Sequence, residues 1–131
     1  MRQEELDTAL AMARQMYRAL SETASLTVDL SEAVSRQDSE SIRLFLRMRQ
    51  EQIDQLAEQD RALRALCDGL AQEQDRVHLR DLLEGRAQAA APEEEALSHQ
   101  IGQNLAVLER VRRSDEAVNR SLCRQHSIYG A

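Results

Sequence analysis

The chain has 131 residues, 23 of them acidic and 17 basic, every basic one an arginine, for a formal net charge of −6. That balance argues against sequence-independent DNA binding, which needs a basic face, and no run approaches the roughly 18 apolar residues of a membrane span. One Phe, two Tyr and no Trp leave burial to Leu, Ala, Ile, Val and Met, which suits helix packed on helix.

The periodicity predicts a first helix over about residues 3–35. Leu6, Leu10, Ala13, Tyr17, Leu20, Ala24 and Val28 form one stripe, and Met12, Met16, Ala19, Leu26, Leu30 and Val34 form a second. Two stripes predict a helix covered on two sides. The alternative leaves Met12, Met16, Leu26 and Leu30 partly open for a partner, a use that suits methionine. The break at Ser35-Arg36-Gln37-Asp38 has neither Gly nor Pro and reads as a tight connection. Asp38 or Ser39 caps the next helix.

A second helix is predicted over about residues 39–71. It carries Ile42, Phe45, Leu46, Ile53, Leu56, Leu63, Cys67 and Leu70 on one face, interrupted by Arg49 and Asp60. Polar residues in such a seam usually cost stability and fix register. From 72 to 92 the connection is variable. Val77, Leu79, Leu82 and Leu83 either continue the second helix or form a separate helical piece after a bend. Gly85 is a helix stop, and Pro92 opens a third helix over about residues 93–127, with Glu93, Glu94 and Glu95 at the positive end of its dipole. Its stripe is Leu97, Ile101, Leu105, Leu108, Val111, Val118 and Leu122, with Asp115 in the seam and Asn104 beside it. Residues 125–131 leave the pattern.

Short connections imply antiparallel neighbours. The expected fold is therefore all-α: a single helical domain over residues 1–131, an elongated, coiled-coil-like antiparallel three-helix bundle with a short extra helical piece between its second and third helices. Slender rods of this kind have narrow seams and no cleft, which favours binding over catalysis. Residues 1–7 enter an acidic helix instead of an apolar leader, and Cys67 and Cys123 are isolated thiols, so the expected location is cytoplasmic. No Gly-rich phosphate loop, nucleophile elbow or paired-cysteine motif is present. Asp75 with His78, Glu95 with His99, and Cys123 with His126 are too sparse for a metal site. The expectation is no enzyme, no cofactor and no metal.

Taken together, Leu30 to Val34 closing the first helix, Asp38 opening the second, Ile42, Phe45-Leu46 and the run Arg49-Gln50-Glu51-Gln52-Ile53, a variable region, Asn104, and a closing Tyr129-Gly130 resemble the FlgN family of flagellar export chaperones. The likeness spans nearly the whole chain. The resemblance implies a cytoplasmic chaperone, a monomer or weak homodimer. Its partners would be the C-terminal helices of hook-associated (hook–filament junction) proteins and a component of the type III export gate, with no nucleic acid and no membrane insertion. The implied client contacts are Leu105, Leu108, Val111, Val118 and Leu122, with Ile128 and Tyr129 available to client or gate. The same stripe also serves as bundle core, and a generic helical scaffold or self-associating bundle is the competing expectation.

Overall fold

The structure, a computed structural model, describes the backbone of residues 1–129 and the side chains of residues 1–123. Its elements are α1 (Gln3–Arg36), α2 (Ser39–Asp68), α3 (Glu73–Leu83), a 3₁₀ turn at Pro92–Glu94, and α4 (Glu95–Tyr129), with no strand among the described residues. No helix in this range is long and apolar enough to cross a membrane.

Helix ends follow local chemistry. Asp38 accepts hydrogen bonds from the Ser41 N–H (3.2 Å) and hydroxyl (2.7 Å), so it caps α2. At the other end α2 stops at Asp68, three residues short of the expectation. Gly69 has poor helix propensity, and Leu70 turns inward to be buried while the Arg76 guanidinium takes its carbonyl at 2.7 Å. Residues 73–83 therefore form a separate helix, α3. Both α1 and α3 close with the same motif. Asp38 N–H bonds to Ala33 O and Gln37 N–H to Val34 O; Arg86 N–H bonds to Asp81 O and Gly85 N–H to Leu82 O. The motif requires a left-handed residue, which is Gly85 (φ 75°) after α3 but Gln37 (φ 57°) after α1.

The long helices meet in layers seven residues apart. Val34 of α1 lies with Ile42 of α2 and Leu122 of α4; Leu20 lies with Leu56 and Leu108; Ala13 lies with Leu63 and Ile101. Numbers rise along α1 and α4 together and fall along α2, so α2 runs opposite to the other two. Between the first two of these layers falls a polar one, Thr27, Arg49 and Asp115. Arg49 Nε donates to Thr27 Oγ1 at 2.9 Å and Arg49 Nη2 to Asp115 Oδ1 at 2.6 Å. In turn Thr27 bonds to Thr23 O and Thr23 to Ala19 O, each at 2.7 Å, so each hydroxyl proton is placed.

Several apolar positions sit elsewhere than their stripe suggests. Tyr17, Val28 and Leu46 are exposed, whereas Leu26 and Leu30 are buried and not open for a partner. Val107, outside the predicted stripe, is buried with Leu20. The buried rows of α1 also take in Thr23 and Thr27, which continue the seven-residue spacing of Ala9 and Leu30 and of Leu20 and Val34.

Gln37→Gly should raise the thermal midpoint, worth about 1 kcal/mol, because glycine adopts the left-handed conformation without a Cβ penalty. Gly85→Ala should do the opposite, since a Cβ there meets Leu105 Cδ1 at 2.9 Å. Thermal melts of both variants check the pair; equal midpoints would contradict the assignment.

Candidate functional site

Small residues on α1, Ala9, Ala13, Ala19 and Ala33, are fully or almost fully buried. Helix spacing is set by the side chains at the contact, so α1 draws in both long neighbours. Cα atoms of α1 come within 8 Å of α2 and of α4, whereas among the described residues none of α2 comes that close to α4. A gap therefore runs lengthwise between α2 and α4, with α1 as its floor.

Three things occupy that gap along its length. At one end α3 lies in it. Arg76 reaches the Leu70 carbonyl, Arg80 pairs with Asp68 (3.3 Å) and Glu84 with Arg64 (3.7 Å), so α3 runs antiparallel beside the end of α2. Along its other flank His78 meets Glu94 and Gly85 meets Leu105. Leu79 and Leu82 of α3 are completely or nearly completely buried among Leu6, Cys67, Leu70 and Leu97, each worth about 2 kcal/mol of burial. Cys67 is thus a core residue; burial pushes its thiol upward from the ordinary value, and its Sγ donates to Arg76 O at 3.2 Å.

Where α3 ends, the gap opens into a cleft of about 300 Å³. Met16 and Leu20 form the floor, Leu56 and Leu63 one wall, Ile101, Leu105 and Leu108 the other, and Leu83 the near end. The expectation of seams without a cleft is corrected here. Ala13 is small in the layer it shares with Leu63 and Ile101, and α2 and α4 stand apart, so this stretch stays unfilled. The charged rim, Asp60, Arg64 and Glu84, is paired internally: Arg64 bonds to Asp60 at 3.0 Å and to Glu84, which also pairs with Arg86. Such exposed pairs add little stability. Beyond the cleft, the Arg49–Asp115 bridge closes the gap.

The predicted contact residues divide. Leu105 is 39% exposed and lines the cleft, and half-buried Leu108 lines it too. Val111 and Val118 are buried, packed with Leu20 and with Leu30 and Val34 respectively, and Leu122 packs on that second cluster. The side chains of Ile128 and Tyr129 lie outside the described residues. Of the residues that the alternative reading left open for a partner, Met16 lines the cleft, whereas sequence reasoning missed Leu56 and Leu83 as part of the same site.

Asn104 is buried and donates to the Ala13 carbonyl at 2.9 Å, while accepting from Gln100 at 3.1 Å. It fixes the register of α4 on α1 at the cleft floor. At the base, Glu94 accepts hydrogen bonds from the Ala90 N–H (3.1 Å) and shares one of 2.6 Å with His78 Nε2. Burial opposes its charge, but the His78 bond, the Ala90 N–H and the electrostatic pull of His78 outweigh it, and its carboxyl is held below its ordinary value. Among the described residues no group of three or more His, Cys, Asp or Glu is placed to hold a metal ion.

Arg49→Ala should cost about 1–2 kcal/mol by stranding Asp115, less than a fully buried pair because Asp115 is over a third exposed. Replacing both by Leu should recover part of that loss, because no charge is then left unpaired, although leucine is too short to fill the same span; a double variant as weak as the single in denaturant titration would contradict this. Because the folded value for Glu94 is depressed, its stabilisation is present above the ordinary glutamate range and is lost as pH falls through the folded value. The gap in thermal midpoint between wild type and Glu94→Gln should therefore shrink on acidification; a constant gap would rule out this linkage.

No family model, no curated protein and no solved structure matches this chain.

Proposed function

We propose that this chain is a carrier for another protein's amphipathic helix, a cytoplasmic export chaperone of the FlgN-like kind built as an elongated antiparallel three-helix bundle. In this reading it holds the C-terminal helices of flagellar hook–filament junction proteins unassembled and delivers them to the type III export gate. It acts as a monomer or weak homodimer, without a cofactor or catalytic step. The observation that carries the reading is the apolar cleft between α2 and α4, with Leu56 facing Leu105 and Leu108 across Met16. A helix-in-groove complex needs an open apolar furrow between helices into which residues three and four apart insert. The likeness of the residues around Asp38, Asn104 and Tyr129-Gly130 to that family supplies the client class.

Client contacts are assigned to Leu105 and Leu108; Val111 backs that wall from the core, and Val118 and Leu122 belong to the bundle core beyond the Arg49–Asp115 bridge. Ile128 and Tyr129 are kept as contacts for client or gate. A self-associating scaffold is the second reading, and exposed Leu44 and Leu46 on α2 favour it.

Calorimetry with a synthetic C-terminal helix of a junction protein tests the choice. Leu105→Asp should weaken binding by about 2 kcal/mol, roughly 30-fold, with helicity unchanged by circular dichroism, and Leu105→Asp with Leu108→Asp by more. A stable homo-oligomer by light scattering that ignores the peptide would overturn the carrier reading in favour of the scaffold.

A further inference from the structure

We infer that α3 is a displaceable strap that occupies, within the same molecule, the end of the gap into which a client helix extends. The inference rests on the carrier reading above and adds a competition to it. Three observations carry it. First, α3 is itself an amphipathic helix seated lengthwise between α2 and α4, with Leu79 and Leu82 inserted three residues apart, the spacing a helix-in-groove partner uses. Second, the cleft is continuous with that seat, because Leu83 and Glu84 at the end of α3 form its near end. A partner helix of more than two or three turns that enters the cleft runs directly into α3.

Third, α3 is built to leave. At 11 residues it is too short to be stable alone, so its helicity depends on docking. Its Cα atoms approach α2 and α4 within 8 Å but none in α1. Non-helical connections flank it on both sides, one holding Gly69 and the other Gly85. Besides the buried Leu79 and Leu82, its fasteners are polar contacts at its edges, among them Arg80 to Asp68, His78 to Glu94, Asp75 to the N-terminal amine and Arg76 to the Leu70 carbonyl. Meanwhile α1, α2 and α4 hold one another through separate layers higher up, Leu20 with Leu56 and Val107, and Leu30 with Phe45 and Val118. Releasing α3 leaves those layers in place and lengthens the groove by the stretch lined by Leu6, Cys67, Leu70 and Leu97. A helix presenting leucine-type side chains at intervals of three and four replaces Leu79 and Leu82 there.

Hydrogen exchange on the full chain, with and without a saturating synthetic C-terminal helix of a junction protein, provides the test. Amides of α3 should lose protection on binding while those of α1 around Ala13 to Leu20, the cleft floor, gain it. Unchanged or increased protection in α3 overturns the strap. In parallel, Leu79→Ala with Leu82→Ala should bind the same peptide about tenfold tighter, since the seated strap no longer competes. Equal binding by wild type and variant overturns the strap and leaves the carrier standing. Binding by the variant alone supports both, and binding by neither overturns both.

Discussion

The close approach of α1 to two long neighbours at once is the constraint from which the rest follows. Alanines at positions 9, 13, 19 and 33 leave no bulk to hold α2 and α4 away from it. Both long neighbours pack closely on α1, yet among the described residues no Cα of α2 comes within 8 Å of one in α4. The structure resolves this differently at each level: by inserting α3, by leaving the space open, and by spanning it with long side chains. A bundle with larger residues on α1 would spread its three contacts evenly and seal its middle.

The span made by Arg49 and Asp115 shows why length matters. Arginine carries its charge on a long apolar stem and offers a fork of donors, so it reaches from α2 past Thr27 to α4 without drawing the backbones together. A leucine at position 49 has no such reach. The layer is also self-consistent: Thr27 accepts from Arg49 and donates to Thr23 O, so the donors and acceptors at its centre are matched. Its effect is to fix one register among three helices whose apolar layers alone tolerate a slip of seven residues.

How far the chain could be read from its residues divides along the same line. Where a side chain repeats in step with the helix, the reading holds: the long helices, the Asp38 cap, the stop at Gly85 and the polar interruptions at 49 and 115 are all visible. The α2–α3 boundary is less so, because the turn at Gly69 is stabilised by Arg76 and Cys67, partners several residues apart whose meeting depends on tertiary packing. The cleft was not legible. A heptad pattern says which residues face inward but not how far apart the facing helices stand, and Leu105 and Leu108 look the same in the pattern whether a neighbour covers them or not. Tyr17 fell on the wrong side because its row, Leu10, Tyr17 and Ala24, lies one position from the buried row of Ala9, Thr23 and Leu30, whose threonine disguises it; Val107 was likewise passed over for its half-buried neighbour Leu108.

What unites these features is a furrow whose walls are greasy, whose rim charges are already matched to one another, and whose one end is filled by a short helix of the same chain. The most direct test is methyl NMR of the leucine, valine and isoleucine side chains during titration with an amphipathic client helix. The account predicts shifts concentrated at Leu56, Leu105, Leu108 and Ile101, with Leu30, Val34 and Val118 unmoved. Shifts confined to Leu44, Leu46 and Val28, with the furrow silent, would contradict it.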